Sequence, residues 1–301
     1  MFCSLSRGPA AIAGLVLAIG FTTAAEEDGI KAVTAAGGKV TYDKVGKKKG
    51  VGGVVLAGPK VTDEVMKKLL EFPGLNRVEI KNTPKLTADG VSELGKVKQL
   101  RAVELAGPLI SDAVAKSLSG ATAITELNLS GGSLTDDGVK ELAALTKLET
   151  LSITQNKKIK GTTVPSLVAV KGLKYLTINN CELGDLEGWG ALKALSKLTS
   201  LGLAQTGVTD AGLKEIGKLT QLTILGLDGT PITDAGLADL KNLRSLDKLS
   251  LVDTKITDKA VPILSGMKKL SFLTLSEKQI TKAGGEALKK ALPNCDVNVM
   301  P

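Results

Sequence analysis

The chain has 301 residues, 43% of them apolar, a formal charge of +8 and no histidine. The missing histidine removes the commonest general base and the commonest metal ligand. Aromatic residues make up only 2%, so the apolar content is mostly Leu, Val, Ile and Ala, which suits stacked layers better than an enzyme pocket lined with rings.

From the N-terminus, Arg7, an apolar run from Ala10 to Phe21 and the small residues Thr23-Ala24-Ala25 read as a leader removed before Glu26. The run is too short to cross a bilayer core of about 30 Å. Residues 1–25 are therefore expected to be a signal peptide, and the protein to be exported to the periplasm, the cell surface or the medium. Residues 26–50 predict an N-terminal cap. An acidic start precedes Ile30, Val33 and Ala36 at helical spacing, Gly37-Gly38 stops the helix, and Lys39 to Val45 alternates like a strand.

The sequence then repeats itself. Strand-starting residues fall at Val51, Leu75, Leu100, Ile124, Leu148, Leu173, Leu198, Leu222, Leu246 and Leu270, in steps of 24 or 25 residues. Self-similarity at this period means a solenoid of stacked units rather than separate globular domains. Each unit has apolar residues at its first, fourth and sixth places, as in Leu198-Leu201-Leu203, the last two alternating with exposed positions as a strand with one buried face requires. A further apolar residue follows, then a Thr-Asp or Ser-Asp pair, then a helix-period run such as Leu213, Ile216 and Leu219. Ten units are expected over 51–293, with 294–301 forming a final edge strand that includes Val297 and Val299.

Thr62-Asp63, Ser111-Asp112, Thr135-Asp136, Thr209-Asp210, Thr233-Asp234 and Thr257-Asp258 could suggest calcium, but each unit lacks the several oxygen ligands such a site needs. Helix capping by Thr, with Asp in the first turn, accounts for every pair. Gly90, Gly138, Gly212 and Gly236 are read as permitting close packing at the strand-to-helix turn. Pro165 and Pro262 share one register and mark first helical turns, where a missing N–H is tolerated. Two units depart from the pattern, around Lys157 and around Trp189, the chain's one tryptophan. Cys181 and Cys295 lie nearly five repeats apart, too far to form a disulfide. Cys181 shares a register with Thr83, Asn156, Thr206, Thr230 and Thr254, where a small polar side chain can satisfy turn backbone groups. No nucleophile–base pair, metal spacing or phosphate loop emerges.

The unit Leu222-Thr-Ile-Leu225-Gly-Leu227-Asp-Gly-Thr230-Pro-Ile232-Thr-Asp234-Ala-Gly-Leu237 resembles a leucine-rich repeat of the ribonuclease-inhibitor-like or cysteine-containing subclass, and residues 198–213 and 246–261 resemble it nearly as closely. The resemblance covers about 51 to 299. It implies an α/β leucine-rich-repeat horseshoe with a parallel sheet on the concave face and helices on the convex face, and with the leader and cap it resembles secreted bacterial proteins of this type. On that fold the concave face offers Glu79, Glu104, Glu126, Asn128, Tyr175, Thr177, Asn179, Ile224, Asp228 and Phe272 to a ligand, with an acidic patch at the three glutamates. The expected function is a non-enzymatic recognition or scaffold module, binding a protein partner through that face, without cofactor or metal, monomeric, and neither spanning a membrane nor binding nucleic acid. The alternative is a cell-envelope protein binding polysaccharide or an anionic surface through a basic edge formed by Lys98, Lys147, Lys171, Lys197, Lys218, Arg244, Lys268 and Lys269.

Overall fold

The computed structural model describes residues 23–45, 48–183 and 188–301. The expected leader thus lies outside the described residues except for its last three positions, and so does the Gly184–Glu187 part of the irregular unit. Helix α1 (Ala24–Ala35) starts two residues before the expected Glu26. Thr23 caps it in a reciprocal box: its hydroxyl accepts from the Glu26 N–H, and the Glu26 carboxylate accepts from the Thr23 N–H. Thr23, Ala24 and Ala25, read as a cleavage site, thus form the N-cap and first turn of a helix whose Ile30 and Val33 are buried.

Strand β1 (Lys39–Val45) pairs antiparallel with β2 (Lys48–Ala57), and all later strands run parallel to β2 in strict sequence order. They are β3 (Arg77–Lys81), β4 (Ala102–Ala106), β5 (Glu126–Ser130), β6 (Thr150–Thr154), β7 (Tyr175–Thr177), β8 (Ser200–Gly202), β9 (Ile224–Gly226), β10 (Lys248–Ser250), β11 (Phe272–Ser276) and β12 (Asp296–Met300). A sheet in sequence order, with every crossover on one side, is a solenoid. Leu and Ile alternate inward along the strands, so β3 and β5 show the burial of a sheet with one covered face. The convex side carries α2 (Asp63–Lys68), α3 (Ala88–Ser92), α4 (Asp112–Leu118), α5 (Asp136–Leu142), α6 (Asp210–Ile216), α7 (Asp234–Leu237), α8 (Val261–Ser265) and α9 (Lys282–Ala291). The two irregular units use 3₁₀ turns instead, over Val164–Ala169 and Trp189–Ala194. Pro165 and Pro262 both stand in the first turn of their elements, as their shared register requires.

The Thr-Asp pairs do more than cap. Thr or Ser is the N-cap of α2 to α7, but Thr62, Ser111 and Thr209 make no side-chain cap bond. The aspartate instead reaches forward to the next unit. Asp210 accepts from the Thr233 N–H at 2.8 Å and from its hydroxyl at 2.6 Å. Asp63 holds Thr87 in the same way, Asp112 holds Thr135, Asp234 holds Thr257 and Asp258 holds Thr281. At Gly90, Gly138, Gly236 and Gly284 this adds a second reason for glycine beside close packing at the turn, where a Cβ on Gly138 would also meet Leu134 at 2.3 Å and one on Gly90 would meet Leu86 at 2.7 Å. A Cβ on Gly236 would come within 2.3 Å of Asp210 Oδ1, and Gly90, Gly138 and Gly284 are equally close to Asp63, Asp112 and Asp258. In the second unit Ala88 replaces the aspartate, and the following unit accommodates Val114 in the glycine register. The last unit has Lys282 in the aspartate register, with no further unit to hold.

Just past each of β2 to β10 the backbone turns left-handed, at Gly58, Asn82, Gly107, Gly131, Gln155, Asn180, Gln205, Gly229 and Asp253. Next to this column stands the buried register of Cys181. The hydroxyls of Thr206 and Thr254 donate to the carbonyls of Leu203 and Leu251. Asn156, fully buried, accepts from the N–H groups of Gly132 and Leu134 and donates to the carbonyls of Leu129 and Thr154. Cys181 Sγ lies within 3.8 Å of the Ile153 carbonyl and burial pushes its thiol pKa up, as burial does for Cys295; both cysteines are free.

Candidate functional site

The strand pleat puts alternate side chains on the concave surface, and parallel pairing aligns them in rows across the sheet. One row runs Arg77, Ala102, Glu126, Thr150, Tyr175, Ser200, Ile224, Lys248, Phe272. The middle row runs Glu79, Glu104, Asn128, Ser152, Thr177, Gly202, Gly226, Ser250, Thr274 along the same pairings. Glu79, Glu104, Glu126, Asn128, Tyr175, Thr177, Ile224 and Phe272 therefore share one surface.

The three glutamates do not form an acidic patch. Lys81 Nζ lies 2.8 Å from Glu79 and 2.9 Å from Glu104, and Arg77 lies 3.6 Å from Glu126. Hydrogen bonds to those two carboxylates push the Lys81 pKa up to about 12, so the ammonium is fully charged at neutral pH. The two cations offset two of the three negative charges where they arise, and they sit in the rows flanking the middle one. The Oδ1 of Asn128 is buried without a hydrogen-bond partner.

Asn179 and Asp228 serve the scaffold. Asn179 Oδ1 accepts from the Ala204 N–H at 2.9 Å, and Asp228 Oδ1 accepts from the Val252 N–H at 2.8 Å and from the Ser250 hydroxyl. The three-residue strands β7, β8 and β9 end early, and these side chains bridge the backbone just beyond them. Their commitment to neighbouring units leaves Tyr175, Ile224 and Phe272 as the apolar surface of the C-terminal half. Tyr175 is 47% and Phe272 37% exposed, large fractions for ring side chains on a sheet. Between the two rings the middle row runs Gly202, Gly226 and Ser250, with no side chain at the first two. A Cβ added at Gly226 would meet only the Gly202 Cα, at 3.9 Å, so the floor there is open.

The basic-edge residues are all exposed, and among the described residues Lys218 alone of the eight is ion-paired, to Glu215. The irregular units are explained by packing. Trp189 is completely buried and its indole N–H donates to the Gly161 carbonyl at 2.9 Å, while Lys157 and Lys160 reach Asn180 and Glu182 of the next unit.

Sequence reasoning missed the pairing of Lys81 and Arg77 with the glutamates, although both cations stand two places from the middle row. No helix among the described residues is long and apolar enough to cross a membrane.

A family profile described as Leucine Rich repeat matches residues 121–143. No curated protein matches the chain. Solved structures do. An internalin (InlF) from Listeria monocytogenes is 20% identical over 82% of this chain and 86% of its own, with a TM-score of 0.52. An internalin C2 (InlC2) from the same organism is 23% identical over 84% of this chain and 92% of its own, also with a TM-score of 0.52. At these identities the likeness concerns the fold, which is that of a leucine-rich-repeat solenoid.

Proposed function

We propose, on the premise of a leucine-rich-repeat solenoid, that the protein is an exported, non-enzymatic recognition module that binds a protein partner through the C-terminal half of its concave face. The observation that carries this reading is the row Tyr175, Ser200, Ile224, Lys248, Phe272, which presents two exposed rings and a branched aliphatic on a rigid parallel sheet. Rigid aromatic side chains are the usual anchors of protein interfaces, since they bury much area at little entropic cost. The self-paired charges of the N-terminal half make that half a weaker anchor, because a partner would first have to displace Lys81 and Arg77 from their carboxylates. Export is supported by the leader-like residues 7–25. The ribonuclease-inhibitor-like subclass is supported by the Thr/Asn/Cys register behind each strand and by the α-helical convex turns.

A photo-crosslinking side chain at Ser250, in the middle row, and another at Lys140, exposed on the convex helix α5, test the reading in the native envelope. Ser250 is expected to give a discrete protein adduct whose yield falls at least tenfold with Tyr175→Ala and Phe272→Ala together. Adducts from Lys140 alone, or Ser250 adducts indifferent to the two rings, would rule out this face.

A further inference from the structure

The edge where convex turns lead back into the strands carries a feature separate from the concave rows. A cavity of about 460 Å³ opens there between the units of β9 and β10, on the segments that lead into β10 and β11. That size lies within the ~300–1,000 Å³ of small-molecule sites. Its walls are the aliphatic side chains of Leu240, Leu243, Ile263 and Met267. Its mouth is formed by Lys241, Arg244, Lys268 and Lys269, all exposed, with no carboxylate among the lining residues. None of these four is in an ion pair among the described residues. Lys268 donates to the Ala291 carbonyl at 3.0 Å, which fixes its stem beside the opening. An adjoining hollow, sharing Arg244, adds Lys214 and Lys218 and a single carboxylate, Asp239.

Apolar walls under a cationic rim match a particular chemistry: an aliphatic chain ending in an anionic head. A polysaccharide would use the cations and leave the Leu, Ile and Met surface unmatched, and a nucleic acid would want stacking rings, which the lining lacks. The basic side chains also continue along the same edge as Lys197, Lys171 and Lys147, one in each earlier unit. Such a row suits an extended anionic plane rather than one soluble molecule. We propose that this edge docks on an anionic phospholipid leaflet, with headgroups held by Arg244, Lys268 and Lys269 and one acyl chain entering between Leu243 and Met267. Lys and Arg near an anionic surface attract it additively, and the aliphatic pocket adds a contribution that salt does not screen. The site is independent of Tyr175 and Phe272, so a protein partner and a membrane could be held at once.

Vesicle co-sedimentation of the full chain tests this, with phosphatidylcholine alone and with phosphatidylcholine and phosphatidylglycerol in equal parts. Residues 10–21 are themselves apolar, so the readout is the difference between wild type and variants rather than binding as such. Replacing Arg244, Lys268 and Lys269 together by Ser should weaken partitioning into the anionic vesicles on the order of a hundredfold, at about fivefold per cation, with an unchanged melting curve. Met267→Asp should reduce what remains bound at about 1 M salt, where screening acts within about 3 Å. The double variant Tyr175→Ala, Phe272→Ala should partition like wild type, which separates a failure here from a failure at the concave face. Equal partitioning of the triple variant and wild type overturns the proposal. So does equal binding to neutral vesicles, or retention on an acidic polysaccharide by a chain that leaves anionic vesicles untouched.

Discussion

The joints between units are built in two ways. From β9 to the C-terminus each joint is closed by one aspartate clamping the next threonine, with a glycine beneath the carboxylate wherever the helix starts with an α-turn. Around β6 to β8 the clamp changes. Asp136 accepts from the backbone N–H groups of Lys160 and Thr163 rather than from a threonine in the usual place. Gly161 takes the aspartate register, and the load passes to Trp189, whose indole binds the Gly161 carbonyl. The sheet register continues across both regions without a break. The difference teaches that a joint can be closed by more than one kind of cross-unit polar link over a filled layer, and the Ala88 joint does without the aspartate altogether. The departures at Lys157 and Trp189 are alternative joints, and this leaves the concave rows and the basic edge as the variable surface.

The largest expected effect comes from removing the substitute joint. Trp189→Ala empties a completely buried site, for which a loss of about 3–5 kcal/mol is usual, and it leaves the Gly161 carbonyl without its donor. Gly161 itself is left-handed, and a Cβ there would lie 3.2 Å from the Trp189 ring, so the two residues are fitted to each other. Trp189→Phe keeps most of the volume and should cost about 1–3 kcal/mol through the unpaired carbonyl. Urea unfolding measures both. If Trp189→Ala costs no more than Trp189→Phe, the ring is not what holds that joint.

The regular joint can be broken from both sides. Gly236→Ala brings a methyl against Asp210, and Ala260 shows how the chain can absorb one: it occupies the same register opposite Asp234, and its helix begins with a 3₁₀ turn over Asp258–Ala260. The expected cost is therefore about 1–2 kcal/mol, toward the lower end of overpacking penalties. Asp210→Ala removes the obstacle along with the clamp. The double variant should then be better than the sum of the singles by about 0.5 kcal/mol or more, the size of coupling between touching residues. Additive losses would mean that glycine serves the helix alone.

These joints also mark where sequence reading ran out. The repeat period, the strand alternation, the Pro registers and the sheet order were legible because each depends on residues close together in the chain. The clamp was not, since Asp and Thr are neighbours within one unit and suggest a local cap, whereas the bond joins Asp210 to a threonine 23 residues on. One signal could have revealed it: Ala88 lacks the carboxylate, and the next unit carries Val114 in the glycine register, as the first unit, which follows the cap and no aspartate, carries Val65. The left-handed column was equally readable, because its positions hold only Gly, Asn, Gln or Asp, and Gly, Asn and Asp are the residues most tolerant of positive φ. On the concave face the rows were legible from strand periodicity. The loss of the acidic patch was not, because whether Lys81 turns toward Glu79 and Glu104 or toward solvent is decided by side-chain conformation across two strands.

The smallest effect separates the backbone part of the irregular joint from its side-chain part. Lys160 contributes twice: its N–H donates to Asp136, and its ammonium lies 2.8 Å from Glu182. The hydrogen bond and charge of that ammonium lower the Glu182 pKa. A carboxylate with a lowered pKa adds stability that is present above the ordinary carboxylate range and is lost as pH falls through the folded-state value. Both groups are exposed, so the pair is screened and weak. Lys160→Ala should move the Glu182 carboxyl titration, followed by carbon NMR, back up toward its ordinary range while the melting temperature at neutral pH stays within error, because the backbone link to Asp136 survives the truncation. A substantial fall in melting temperature would shift the weight of this joint onto the ion pair and make it unlike the clamped joints, where the bond from a backbone N–H to the aspartate recurs at every copy.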